Sequence, residues 1–189
     1  MGFFQRFAKK DKDNPFKDVF YTDDYYAAAM WAAKQGVAVP DGDGMFDPRS
    51  GCTRAQAVTF LWKVAGSPAP AAVTSPFIDV KESDGCFAPV MWAVEKGIGS
   101  EIGEGVFAAN ASVTRAQFLT MLHRSVGKPA ASCRDRSFID VTPQDFYYEA
   151  MLWALEKEIV APLAEGVFAP YSVCARSQVI EFLYKAHSN

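Results

Sequence analysis

Apolar residues in this chain fall into short stripes at helical spacing, broken by polar turns, glycines and prolines. Ala27, Met30 and Trp31 mark one face of a first helix over about residues 24–34, and Gly36 stops it. A loop of about 15 residues follows, with Gly44-Met45-Phe46 at its middle. A second helix then opens at Thr53, with Phe60, Leu61 and Val64 as its stripe. The same order recurs twice. Second helices open at Thr114, with Phe118, Met121 and Leu122, and less well at Ala175, with Val179, Ile180 and Leu183. Each unit starts with Phe-x-Asp-Val, at 16–19, 77–80 and 138–141, expected to be extended. The stretches 66–76 and 127–133 read as Pro- and Ala-rich linkers.

The recurrence is strict. Trp31, Trp92 and Trp153 lie 61 residues apart, as do Asp18, Asp79 and Asp140, and Phe46, Phe107 and Phe168. Arg54, Arg115 and Arg176 keep the same register, each followed two positions later by Gln56, Gln117 or Gln178. This predicts a basic tail over 1–13 and repeats over 14–70, 71–131 and 132–189. Two helices cannot bury their own apolar faces, whereas three units packed together can. The expected fold is therefore mainly α, one domain of three helical repeats. Spacing alone allows a closed, pseudo-threefold body or an open solenoid.

Composition narrows the function. Half the residues are hydrophobic and 22% charged, as in a folded soluble protein. The net charge of -3 argues against general nucleic-acid binding, and no apolar run is long enough for a membrane-spanning helix. Residues 1–14 hold Phe3, Phe4 and Phe7 beside Arg6, Lys9, Lys10 and Lys12, without the apolar core or cleavage site of a secretory signal. They are expected to form a disordered or lightly docked tail, in a cytoplasmic protein or a mature fragment.

Thr53…Gln56 and Thr114…Gln117 match the helix capping box. That explains Thr and Gln, but a cation in the first helical turn opposes the helix dipole. Two explanations stand side by side: the three arginines bind a carboxylate or phosphate at the helix start, or each pairs with a carboxylate of the fold such as Asp18, Asp79 or Asp140. The three tryptophans read as core, or as a rim on which a sugar ring stacks. Trp62, whose register holds His123 and Tyr184 elsewhere, is expected at the surface or an interface. Asp41-Gly42-Asp43-Gly44 is similar to a calcium loop but lacks the downstream Glu, so a turn is expected and no metal. His123 and His187 sit in no nucleophile or metal pattern. Cys52 and Cys174 share a register with Val113, which marks a small buried position. Cys86 stands where Tyr25 and Tyr147 stand, and Cys133 falls in a linker. No cofactor motif and no catalytic constellation is present, so the chain is not expected to be an enzyme.

Phe-x-Asp-Val, a helix bearing Ala and Trp, Gly-Val or Gly-Ile, Gly-x-Phe and Thr-Arg-Ala-Gln, in this order, resemble the S-layer homology (SLH) repeat, over about residues 14–189. The resemblance implies a three-pronged, pseudo-threefold helical domain. It also implies non-covalent anchoring of bacterial surface proteins to the cell wall. The implied ligand is an acidic, often pyruvylated, secondary cell-wall polysaccharide linked to peptidoglycan, held in grooves between repeats. The polymer-binding Arg of the family's Thr-Arg-Ala-Glu motif falls on Arg54, Arg115 and Arg176. The expected glycan-binding set adds Gln56, Gln117 and Gln178; Asp18, Asp79 and Asp140; and Trp31, Trp92 and Trp153. Three departures stand out. The motif's Glu is Gln in every unit, the third unit reads Ala175-Arg176-Ser177-Gln178, and its Gly-Ile turn becomes Glu158-Ile159. They predict a degenerate third groove. The alternative function is an intracellular protein-binding or assembly module on the same scaffold.

Overall fold

The computed structural model describes residues 12–132 and 138–188. The Phe-rich tail up to residue 11, and Cys133, lie outside the described residues. Six helices form among those described: α1 (Tyr26–Lys34), α2 (Arg54–Val64), α3 (Phe87–Glu95), α4 (Arg115–Ser125), α5 (Tyr148–Glu156) and α6 (Arg176–Ser188). The chain is mainly α, as its periodicity predicts.

Local chemistry places the helix starts. Thr53 and Thr114 each accept a hydrogen bond from the Gln three residues on, whose side chain in turn accepts from the Thr backbone N–H. The third unit keeps half of this box: Ala175 N–H donates to Gln178 Oε1 at 2.9 Å, and there is no hydroxyl to return the bond. α1 and α3 end at Gly36 and Gly97, with φ of +67° and +65°. Glu158 occupies the corresponding place at φ +56°, a conformation that costs a side chain about 1 kcal/mol.

Helices pack across the sequence repeats rather than within them. The pairs are α2 with α3, α4 with α5, and α6 with α1. The last pair joins the end of the chain to its beginning, so the body is closed. The solenoid left open by spacing is thereby excluded. Three backbone hydrogen bonds run around the pseudo-threefold axis: Val113 N–H to Cys52 O (2.8 Å), Cys174 N–H to Val113 O (3.0 Å) and Cys52 N–H to Cys174 O (2.9 Å). A large side chain has no room at such a closure, which is why this register holds two cysteines and a valine. Burial pushes both thiols up to about 12, so neither is a reactive thiolate.

The Phe-x-Asp-Val segments are tight turns, not extended strands. Phe138 and Val141 face each other across such a turn. The turn lets the middle residue's N–H reach the Gly-x-Phe loop: Lys17 to Gly44 O (2.8 Å), Ile78 to Gly105 O (2.8 Å) and Ile139 to Gly166 O (2.9 Å). Those glycines sit at φ of +82°, +67° and +70°, which explains their recurrence. The linkers are docked too. Ala71 and Ala72 N–H donate to the Glu95 carboxylate, and Ser132 N–H to that of Glu156.

Candidate functional site

Each repeated Asp is spent on its own unit. Asp18 accepts from Phe46 and Asp47 N–H, both at 2.7 Å. Asp79 accepts from Phe107 and Ala109 N–H, and Asp140 from Phe168 and Ala169 N–H. Burial pushes the Asp79 carboxyl up, but the amides of Ala109 and Phe107 outweigh it and hold it below the ordinary range.

Each repeated Arg reaches into the next unit. Arg54 Nε donates to Phe107 O and Nη2 to Ser100 O, both at 2.8 Å, with the guanidinium 4.7 Å above the Phe107 ring. Arg115 Nη2 donates to Ala161 O, and its guanidinium lies 4.7 Å over the Phe168 ring. Arg176 closes the circle, with Nε 2.9 Å from Phe46 O and the guanidinium 5.0 Å over that ring. Arginine and aspartate therefore meet through one Phe rather than directly: the Asp accepts from its N–H, and the previous unit's Arg covers its ring. Of the two explanations the sequence left open, direct Arg–Asp hydrogen bonding is not seen among the described residues. Arg54 and Arg115 are only 5% and 4% exposed. Burial lowers both pKa values, though an arginine stays charged. Arg115 Nε is buried without a partner.

These cations line grooves between units. The α4 groove, about 170 Å³, has Arg54 at one side, Gln117, Thr120, Met121 and Arg124 along α4, and Ile102 and Phe146 at its rim. The α2 groove, about 280 Å³, is its threefold equivalent, with Arg176, Gln56, Thr59, Phe60, Gly85 and Cys86. At the same register around α6 stand Arg115, Gln178, Glu181, Phe182, Asp24 and Tyr25, the positions that form an α6 groove by the pseudo-threefold. Phe182 lies 5.5 Å under the Arg115 guanidinium, as Phe60 lies under that of Arg176. Burial raises the Glu181 carboxyl above its ordinary value; Lys185 opposes this and Asp24 adds to it. The structure thus brings Gln117 beside Arg54 and Gln56 beside Arg176, each an Arg from another unit.

It does not bring the tryptophans there. Trp92 and Trp153 are each 5% exposed and belong to the core. Trp31 is half-buried, 5.8 Å from the Tyr184 ring and stacked at 6.3 Å on His187. It borders a separate cavity of about 260 Å³ with Gln35, Val37, Lys63, Val64 and His187. Trp62 is half-buried, and its Nε1 donates to Pro68 O as His123 Nε2 meets Pro129 O, so that register has a shared linker-docking role. Asp41 is occupied by its turn, accepting from Asp43 and Met45 N–H. Sequence reasoning missed Thr59, Thr120 and Glu181, and the basic triplet Lys63, Arg124 and Lys185. All six sit at the 61-residue spacing, which was their signal.

The family model for the S-layer homology domain matches residues 15–58 and 76–119. The chain is 32% identical over 112 residues to an endoglucanase of Bacillus sp. (strain KSM-635), covering 59% of this chain and 12% of that protein. It is 24% identical over 155 residues to cell surface glycoprotein 1 of Acetivibrio thermocellus, covering 76% of this chain and 7% of that protein. The chain therefore spans about an eighth or less of the curated relatives it matches. No helix among the described residues is long and apolar enough to cross a membrane.

Proposed function

We propose that this chain, which matches the S-layer homology domain over residues 15–58 and 76–119, binds an acidic cell-wall polysaccharide in its inter-unit grooves and is thereby held at the bacterial surface. One observation carries this reading. The buried Arg54 lines the α4 groove and the half-buried Arg176 the α2 groove, each with backbone carbonyls, not carboxylates, as its hydrogen-bond partners. A cation so placed has no carboxylate hydrogen-bonded to it, and a sugar-borne carboxylate such as a pyruvate ketal supplies one.

The glutamines fit the same ligand. Gln56 and Gln117 turn Oε1 to the capping box, at 3.0 Å in each case. Their amide nitrogens remain as donors for sugar hydroxyls or a carboxylate, where a glutamate could only accept. Arg54, Arg176, Gln56 and Gln117 are the contact residues in this reading. Asp18, Asp79 and Asp140 act indirectly, by fixing the Phe peptides over which the arginines lie. Trp92 and Trp153 shape the helices behind the grooves, and Trp31 offers a stacking face in its neighbouring cavity.

Co-sedimentation of the intact chain with Gram-positive sacculi, before and after mild acid strips the polysaccharide, tests the reading. Binding that disappears with the polymer supports it. Binding unchanged by stripping, or no binding to either preparation, overturns it.

A further inference from the structure

The three grooves share a frame but not a charge. The α4 and α2 grooves each have an Arg from the preceding unit and a capping-box Gln, and Arg115 and Gln178 hold the same register at α6; near the end of the second helix Arg124 lines the α4 groove, Lys63 the neighbouring cavity, and Lys185 keeps their register. At the register of Thr59 and Thr120, α6 places Glu181. At the register of Gly85 and Phe146, the α6 groove has Asp24. Glu181 and Asp24 thus take the two positions that in the α4 groove are the facing wall residues Thr120 and Phe146, α6 packs on α1 just beyond Asp24, and the Asp24 charge adds to burial in raising the Glu181 carboxyl. The α4 groove carries Arg54 and Arg124 with no acid along its walls, and Phe146 at its rim is 64% exposed. The α2 groove is intermediate: Asp41 holds the register of the α4-groove rim residue Ile102 and feels the Arg176 charge.

We infer that Glu181, with Asp24, determines groove specificity: the α6 groove rejects the acidic sugar that the α4 and α2 grooves accept. The inference rests on the acidic-glycan reading above and deepens it. Two negative charges against Arg115 and Lys185 leave that groove without net attraction for a carboxylate. Arg115 is buried, its Nε unpaired and its guanidinium 5.5 Å over Phe182, the residue after Glu181. Affinity then follows the order α4, α2, α6.

The test uses the intact chain labelled with nitrogen-15. A methyl hexoside bearing a pyruvate ketal is titrated in, with the same hexoside lacking the ketal as control. The side-chain amides of Gln56, Gln117 and Gln178 report one groove each. The expected result is saturation at Gln117 and Gln56, with Gln178 responding at least tenfold more weakly. Glu181→Thr, which installs the residue of the other two grooves, brings Gln178 to within about threefold of them, and Asp24→Gly moves it the same way. Equal response at Gln178 in the unmodified chain overturns the inference. So does an unresponsive Gln178 in both variants while Gln56 and Gln117 titrate, or an equal lag with the uncharged hexoside. No response at any glutamine overturns the acidic-sugar reading itself, and this exclusion with it.

Discussion

The first and third units follow one plan and spend it differently. Around Arg54 every bond of the plan is made: a complete capping box at Thr53, Nε on Phe107 O, Nη2 on Ser100 O. In the third unit α6 starts with half a box, Glu158 stands at a positive φ, and the Arg115 that reaches into this unit has an unpaired Nε. Yet the third unit closes the body as well as the others do, since α6 packs on α1. Closure depends on the axial backbone ring and the Arg–Phe–Asp stack, which all three units keep. Caps, turn residues and groove walls are free to drift, and there the third unit has drifted.

Substitutions can break this contrast at its strongest point first. Arg54→Ala strands two carbonyls and empties the space over Phe107, at an expected cost of about 2–4 kcal/mol in chemical denaturation. Arg115→Ala loses fewer bonds, and its cost is expected to be about 1 kcal/mol smaller. Equal costs mean the bonding difference around the two arginines is energetically silent. The caps come next. Thr114→Ala is expected to lose about 1 kcal/mol, whereas Ala175→Thr, which completes the third box, gains up to about the same. Glu158→Gly relieves the positive φ and is expected to raise stability by a few tenths to about 1 kcal/mol, read as the denaturation midpoint.

The smallest effects are in pH. The Asp79 carboxyl is held low in the folded state, so its stabilisation is present above an ordinary aspartate pKa and is lost as pH falls through the folded value. Glu181 behaves oppositely. Its pKa is raised, so stability declines as pH climbs from the ordinary glutamate value through the folded one. Asp79→Asn should flatten the acid limb of a melting-temperature profile, and Glu181→Gln the decline above about pH 4.5. If Glu181→Gln leaves that limb unchanged, the groove acid is not energetically strained.

Much of this was legible in the sequence because an ungapped 61-residue repeat aligns structural roles before any coordinates are known. Thr and Gln at the helix starts, the glycines of Gly-x-Phe and the small residues at the axis each follow from one local requirement. The Arg partner was not legible. Arg54 bonds Phe107 and Ser100 in the next unit, and no periodicity says which unit an arginine will reach. The extended reading of Phe-x-Asp-Val failed for a related reason, since its alternating pattern fits a strand while the Asp carboxylate is drawn back to a loop about 28 residues later. The tryptophans were open between core and rim because an apolar helix face reads alike in both. Packing of α5 against α4 buries Trp153, while Trp31 beside Tyr184 and His187 stays half-open.

A crystal structure of the intact chain with an acidic fragment of the wall polysaccharide is the most direct measurement. The carboxylate is expected beside Arg54 and Gln117 in the α4 groove, with a second copy beside Arg176 and Gln56. Sugar seated only in the cavity of Trp31, Lys63 and His187, or its carboxylate in the α6 groove against Glu181, would contradict the assignment of binding to Arg54 and Arg176.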